Sequence, residues 1–242
     1  MVDPNVALKE KARGAVSGNS RFGAGKLLVA GQVGLSLMLL VAAGLFLSSM
    51  RHLLTQPAGF DPRNVLLVQV DTLGKVPKGK RTSEIAAVLR RVRQVPGVMS
   101  AATGVIPPIS GMVWNNFTFP DGYTSKSQED TLAYFNRVSP GYFRAMGMTL
   151  VAGRDFAESD TKSSTWKMIL SESAARRFFG GSNAVGRMVG TEEAPGTKRV
   201  MHEVIGVVKD AKYNDMKGDS SMTAYLAMDQ DDDPFLSYFV AV

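Results

Sequence analysis

Apolar positions are distributed along this chain in two distinct ways. From residue 27 to residue 47 every position is apolar except Gln32 and Ser36, and none is charged. These 21 residues, at about 1.5 Å per residue, make a helix of about 31 Å, which matches the roughly 30 Å hydrocarbon core of a bilayer. A helix apolar on every face needs lipid or a very large core around it. No other part of the chain supplies layers for such a core, so the pattern predicts a transmembrane helix over residues 27–49. The stretch just before it, SRFGAGK, has the look of a phosphate loop, but Ser20 stands where the first glycine belongs and Leu27 where the Ser or Thr belongs.

Past residue 60 the apolar positions become periodic. Residues 64–71, NVLLVQVD, read as a buried strand. Residues 83–95 place Ile85, Val88, Leu89 and Val92 at i, i+3, i+4 and i+7, with Arg90, Arg91 and Arg93 mostly off that face. Thr82 or Ser83 is the expected cap of this helix, and Pro96-Gly97 stops it. Residues 98–106, 114–119, 132–138, 167–170, 203–208, 223–227 and 235–242 are further strand candidates. Residues 172–179 form a second helix, capped by Ser171 and ended by Gly180-Gly181. A β-α-β opening followed by two more strands suggests a ferredoxin-like α+β unit, with a second region after about residue 153. The chain shows no fixed-period repeat and no low-complexity tract. A strand candidate that reaches the last residue leads us to expect a piece of something longer.

Charge adds an orientation. Lys9, Lys11, Arg13, Arg21 and Lys26 precede the span against only Asp3 and Glu10, which places the N-terminus in the cytoplasm and everything after about residue 50 outside it. The apolar run is longer than the roughly 7–15 residues of a signal peptide, and LSSMR is a poor cleavage site, so the span reads as an uncleaved anchor. That leaves about 180 residues for extracytoplasmic structure. The formal charge of +6 is partly this basic flank and says little for nucleic acid. There are no cysteines, which excludes a disulfide scaffold and any Cys-ligated metal.

Candidate chemistry is sparse. The run Asp229-Gln230-Asp231-Asp232-Asp233 starts like an EF-hand loop, but Pro234 replaces the required Gly and no Glu follows at the twelfth position, so it reads as a solvated loop. Ser159-Asp160-Thr161-Lys162 and Ser164-Thr165-Trp166-Lys167 both fit S-x-x-K, yet no S-x-N or K-T-G element accompanies either. His52 and His202 form no metal spacing or triad and read as surface or interface imidazoles. The 13 methionines are scattered, as core filler would be. No catalytic or metal site emerges, and no cofactor is expected on the chain. Within the span, Gln32 and Ser36 share a face with Ala30 and Gly34 beside them. Small and polar residues on one side are what membrane helices use to pack together, so partner helices of the same protein or of a second copy are expected alongside lipid.

Several blocks in fixed order carry a resemblance: the span ending LFLSSMRHLL, then GFDPRNVLLVQVD, RVSPGYFRAMGMTLVAGRDF, LSESAARRFFGGSNAVGRMVG and EVIGVVKDAKY. Together they resemble the MacB/FtsX-like ABC transporter permeases. They look most like the duplicated permeases without an attached ATPase that abound in Acidobacteria and their relatives, and DPNVALKE looks like the linker before the second half of such a protein. The similarity covers nearly the whole chain. It implies one span before a large extracytoplasmic domain and three after it, in a bacterial inner membrane. It further implies a ferredoxin-like subdomain (residues 60–152 and 235–242) and an inserted subdomain (153–234). A separate cytoplasmic ATPase, the only part expected to bind ATP, would drive movement that the permease transmits. The closing helix and strand of the first subdomain and the later spans are absent from the sequence. Ser171 stands where Asn is frequent in the family, and Gly180-Gly181 where Pro-Gly is usual.

The motif residues have physical roles that suit such a domain. Ser139-Pro140 starts a helical turn, Gly141 follows, and Tyr142, Phe143 and Met146 give it an apolar face. Gly147 ends the turn and Gly153 lets the chain swing onward, with Arg154 and Asp155 closing the block. The expectation is a non-catalytic permease component, working in efflux or in lipoprotein- or peptide-related export. A stand-alone anchored ligand-sensing or adaptor domain is the alternative, and an anchored acyl hydrolase a distant third.

Overall fold

The computed structural model describes residues 23–56, 58–63, 65–71, 76–77, 79–192, 196–212, 222–230 and 237–241. The basic flank as far as residue 22, the linker-like residues 3–10 and the acidic residues 231–233 lie outside them. The chain divides after Thr55 into two units.

Among the described residues the first unit is a single helix, α1, Ala24–Thr55. Its 32 residues rise about 48 Å, well past the length of the apolar run. No helix breaker stands between Leu47 and Thr55, so the helix continues beyond the predicted limit. Thr55 Oγ1 donates to the Arg51 carbonyl at 2.9 Å in the last turn. Helical geometry is disfavoured for a residue that precedes proline, and Gln56 is followed by Pro57.

Among its described residues the second unit carries ten strands and three α-helices in the order β1 (Leu67–Asp71), α2 (Arg81–Val92), β2 (Ala102–Gly104), β3 (Asn115–Pro120), β4 (Leu132–Val138), α3 (Tyr142–Ala145), β5 (Leu150–Gly153), β6 (Lys167–Ser171), α4 (Glu172–Phe179), β7 (Met188–Thr191), β8 (Val200–Val208), β9 (Thr223–Ala227) and β10 (Ser237–Ala241). An apolar helix is thus followed by a mixed α/β domain. Two arrangements organise it. In the first, β10 lies between β1 and β2 and runs antiparallel to both, so β1, α2 and β2 form a split β-α-β unit. Ile85 and Leu89 of α2 are buried in its core.

In the second arrangement, β4, β3, β7, β8, β6 and β9 pair in that order, and β9 pairs back to β4. The six strands therefore close into a ring, which leaves no free sheet edge among them. The ring draws β3 and β4 from before residue 153 and the other four strands from after it. Side chains alternate along a strand, and one alternation gathers Ala133, Phe135, Met168, Leu170, Val189, Val204, Ala224 and Leu226 into a single apolar cluster. Ala174, Ala175 and Phe178 of α4 belong to the same cluster. Since α4 follows the C-terminal end of β6 directly, it covers that end of the ring.

Three expectations need correction. The strand at residues 67–71 is not buried: Leu67 and Val68 are 41% and 44% exposed, because β10 is the only strand that pairs with β1 among the described residues. Helix α2 begins at Arg81, two residues early. Lys80 occupies the cap position without a side-chain hydrogen bond, and Ser83 Oγ instead donates to the Lys80 carbonyl at 2.8 Å. Arg81, the first residue of the helix, is buried. His202 is no surface group, being 2% exposed inside the ring.

The start of α4 follows the sequence expectation. Ser171 Oγ accepts from the Ala174 N–H at 3.4 Å and from the Thr223 N–H at 2.9 Å, so one hydroxyl caps the helix and pins β9. Ser171→Ala orphans a buried N–H and removes the cap, and we expect a loss of about 1–2 kcal/mol in urea denaturation. An unchanged midpoint would mean that water replaces both bonds.

Candidate functional site

On α1, Ala30, Gln32, Gly34 and Ser36 are all exposed along the helix. Positions 32 and 36 are one turn apart, so the amide and the hydroxyl stand on one side of the helix. The helix is long and apolar enough to cross a membrane.

The block around residues 139–160 is built as a corner of the second unit. Tyr142, Phe143 and Met146 of the α3 turn are fully buried. The Phe143 ring meets Tyr225 edge-on at 5.0 Å, and Phe156 lies 6.3 Å from it. Gly147 has φ +63°, and a Cβ there would stand 2.8 Å from the Asp61 Cβ. Just before it, the Met146 carbonyl accepts from the Asp61 N–H at 3.0 Å, which ties the turn to the segment ahead of β1. Gly153 has φ +73°, and a Cβ there would sit 2.1 Å from the Ile205 carbonyl oxygen.

Asp155 joins the two halves of the block. Its carboxylate accepts from the Phe156 N–H at 2.7 Å and from the Gly141 N–H, next to Pro140, at 3.3 Å. Burial raises its pKa above the ordinary value, and these backbone bonds oppose the rise. Arg154 donates both terminal nitrogens to Asp160 at 2.7 and 2.8 Å, a bidentate pair. The guanidinium holds the buried Asp160 carboxyl below its usual range. Arg154, Asp155 and Asp160 are thus all bonded within their own fold.

A different set of side chains meets at the other end of the ring. Trp166 precedes β6, opposite the end covered by α4, and borders a cavity of about 50 Å³. Trp114, Asn116, Arg137, Thr191 and His202 also line it, above a floor of Phe135 and Leu226. The Arg137 guanidinium lies over the Trp114 ring at 5.1 Å. A 2.9 Å hydrogen bond joins His202 Nε2 and Thr191 Oγ1, and Trp166 faces the imidazole edge-on at 5.5 Å. Burial holds the imidazole neutral, lowering its pKa from 6.5 to about 4. The sequence reading missed this mouth because its members lie far apart along the chain. One signal was present: these are the only two tryptophans.

The second S-x-x-K copy does not bring its serine and lysine together as a nucleophile and base. Ser164 donates its hydroxyl to the Thr161 carbonyl at 2.8 Å, and Lys167 Nζ is 2.5 Å from Glu203. Among the described residues no group of three or more His, Asp or Glu could hold a metal ion.

The periplasmic region of MacB from Actinobacillus actinomycetemcomitans is similar in structure, with a TM-score of 0.49 and 18% identity over 79% of this chain and 79% of that one. So is the extracellular domain of the ABC-type transporter YknZ from Gram-positive bacteria, with a TM-score of 0.46 and 18% identity over 74% of this chain and 82% of that one. No curated protein matches the chain. The family described as MacB-like periplasmic core domain matches residues 27–239. With the match running from the first residues of the apolar run to β10, the chain belongs to the family of MacB-like periplasmic core domains.

Proposed function

We propose that the chain is a permease component of an ABC-type transporter. It is non-catalytic and couples a separate cytoplasmic ATPase to export or to mechanical work outside the membrane. The observation that carries this reading is the direct succession of an apolar 32-residue helix and a domain of this family, with Gln56 the first residue beyond the helix. In the proposed mechanism, movement of the helix is passed to the domain that follows it in the chain. Gln32 and Ser36, with Ala30 and Gly34, are the face through which that helix packs on others. No residue of the corner block is assigned to chemistry; Pro140, Gly141, Tyr142, Phe143, Gly147, Gly153, Arg154 and Asp155 build the fold.

The test is retention of an ATPase. Tagged full chain, solubilised in mild detergent from the membranes of its own host, is expected to bring down an ABC-type ATPase whose hydrolysis rate changes when the chain is removed. Recovery without any ATPase, from membranes in which the ATPase is intact, would sink the permease reading and leave an anchored sensing or adaptor domain. Orientation is tested separately, since the chain has no cysteine of its own. A membrane-impermeant maleimide on intact cells should label Gln56→Cys and reach Lys26→Cys only after permeabilisation. The opposite pattern would reverse the topology.

A further inference from the structure

We propose that the turn between α2 and β2, residues 93–100, rests on an anionic lipid surface, with Val95 and Met99 in the headgroup layer and Arg90 and Arg91 meeting its phosphates. Strand order places this turn. β1 and β2 both run antiparallel to β10, so they are parallel to each other and begin at the same end of their sheet. The chain enters β1 at that end soon after α1, and the turn that leads into β2 lies at the same end. A cavity of about 430 Å³ there is lined by Asp61, Arg63 and Val65 from before β1 and by Gly97, Val98 and Met99 from the turn. Asp61 is six residues beyond Thr55 (61 − 55). Six extended residues reach at most about 22 Å, which keeps this end of the sheet within reach of a bilayer that holds α1.

The turn holds its apolar side chains outward. The Val98 N–H donates to the Val95 carbonyl at 3.1 Å, closing a tight bend at Pro96-Gly97 in which Gly97 has φ +91°. Arg93 donates to the Ala101 carbonyl at 2.8 and 3.0 Å and fixes the far side of the bend. Val92 and Val98 pack on the core beneath it, whereas Val95 is 53% and Met99 99% exposed. Arg90 and Arg91 stand exposed in the last turn of α2, and Glu84, the one acidic residue of that helix, is in its first turn. Asp61 is the one carboxylate lining the cavity, and Arg63 holds it through two bonds of 2.9 Å. Arg144 lines the same cavity, with Asp155 as its electrostatic partner. Positive charge beside outward apolar side chains is the combination that binds anionic bilayers. The apolar part is only two side chains. A stable protein interface buries about 1,200 Å² or more, while a fluid lipid surface needs no matching shape, so lipid is the occupant these residues suit.

With no cysteine in the chain, a single label can be placed at will. An environment-sensitive fluorophore is attached to Met99→Cys and, as the control, to Lys80→Cys, exposed at the other end of α2. The full chain is reconstituted at low density into vesicles of equal parts phosphatidylcholine and phosphatidylglycerol, and into vesicles of phosphatidylcholine alone. A trace of lipid with a nitroxide on its headgroup serves as the quencher. In the anionic vesicles the label at 99 is expected to shift to the blue and to be quenched, while the label at 80 stays as it is in water. Added salt should weaken the contact, and Arg90→Gln with Arg91→Gln should lower the ratio of docked to free turns by about tenfold or more. Should that double variant fail to fold, the comparison of anionic with neutral vesicles still decides. Absent quenching at 99, equal quenching in neutral vesicles, or shielding that appears only at high protein density overturns the proposal; the last would assign the turn to a second copy of the chain. The inference rests on α1 lying in the membrane and not on transport. A chain that fails to float with the vesicles overturns the anchored reading and this contact together, whereas one that floats unquenched overturns the contact alone. No ATPase is present, so the coupling proposed above stands or falls separately.

Discussion

Replacing Gly153 with alanine is expected to destabilise the second unit by about 3–5 kcal/mol, enough to leave much of it unfolded at physiological temperature. Two costs add. The backbone at φ +73° suits glycine, and the new methyl would press to 2.1 Å against the Ile205 carbonyl oxygen, a backbone atom. The contact is tight on both sides, since a Cβ on the facing Gly206 would stand 2.6 Å from the Arg154 carbonyl. Neither strand can retreat easily, because β5 pairs with β8 there and β8 is also held by β6 and β7. Urea denaturation followed by tryptophan emission reads the change as a lower midpoint. Gly186→Ala is the control: its φ is +84° with nothing within 4 Å, so it bears only the conformational part, about 1–2 kcal/mol. Equal losses in the two variants would show that the close approach of β5 to β8 yields at little cost.

The second large effect is sensitivity to acid centred on His202. Its imidazole is lowered to about 4 in the folded protein by burial, against an ordinary 6.5. The unfolded chain therefore binds the proton first. No penalty exists above about pH 6.5; stability then falls by about 1.4 kcal/mol per pH unit and levels off below about pH 4, a total of about 3 kcal/mol. Asp155 and Asp229, both raised by burial, act in the opposite sense as the pH falls. The variant must therefore be compared with the unmodified protein at each pH. His202→Gln keeps a hydrogen-bonding partner for Thr191 and removes the titration. Its stability relative to the unmodified protein should rise between pH 7 and pH 4.5, read as a narrowing or reversal of the difference in urea midpoints. A difference that stays constant across that range would mean that His202 takes up its proton alike in both states.

Elements whose cause is local were readable in advance. The apolar run that becomes α1 needs no tertiary information, and α4 announces itself through Ser171 before it and the two glycines after it. What escaped depends on contacts between distant residues. The four-residue strands β5 and β7 contain or end beside glycines and carry too few positions to show a period. The parallel pairing of β4 with β9, which closes the ring, sets Tyr134 against Thr223 and has no counterpart in nearby sequence. NVLLVQVD looked like core because its composition is that of a covered strand, whereas exposure is decided by which neighbours are present. The cavity at the mouth of the ring follows the same rule. Trp114, Arg137, Trp166, Thr191 and His202 come from both sides of the corner block, and only the closed ring brings them together. The corner residues lie within fifteen or so positions of one another, so reading them as turn, stop and apolar face needs only nearby sequence.

The pairing of β1 with β10 also sets a timetable. Leu67 lies opposite Ala241, so strands 174 positions apart (241 − 67) must both be available before the split β-α-β unit can assemble. At roughly 5–20 residues per second of synthesis, that interval is on the order of ten to thirty seconds. Throughout it the Leu-Val strand β1 stands open to wrong partners. Such long-range pairing folds slowly, which lengthens the time before β1 gains its partner β10.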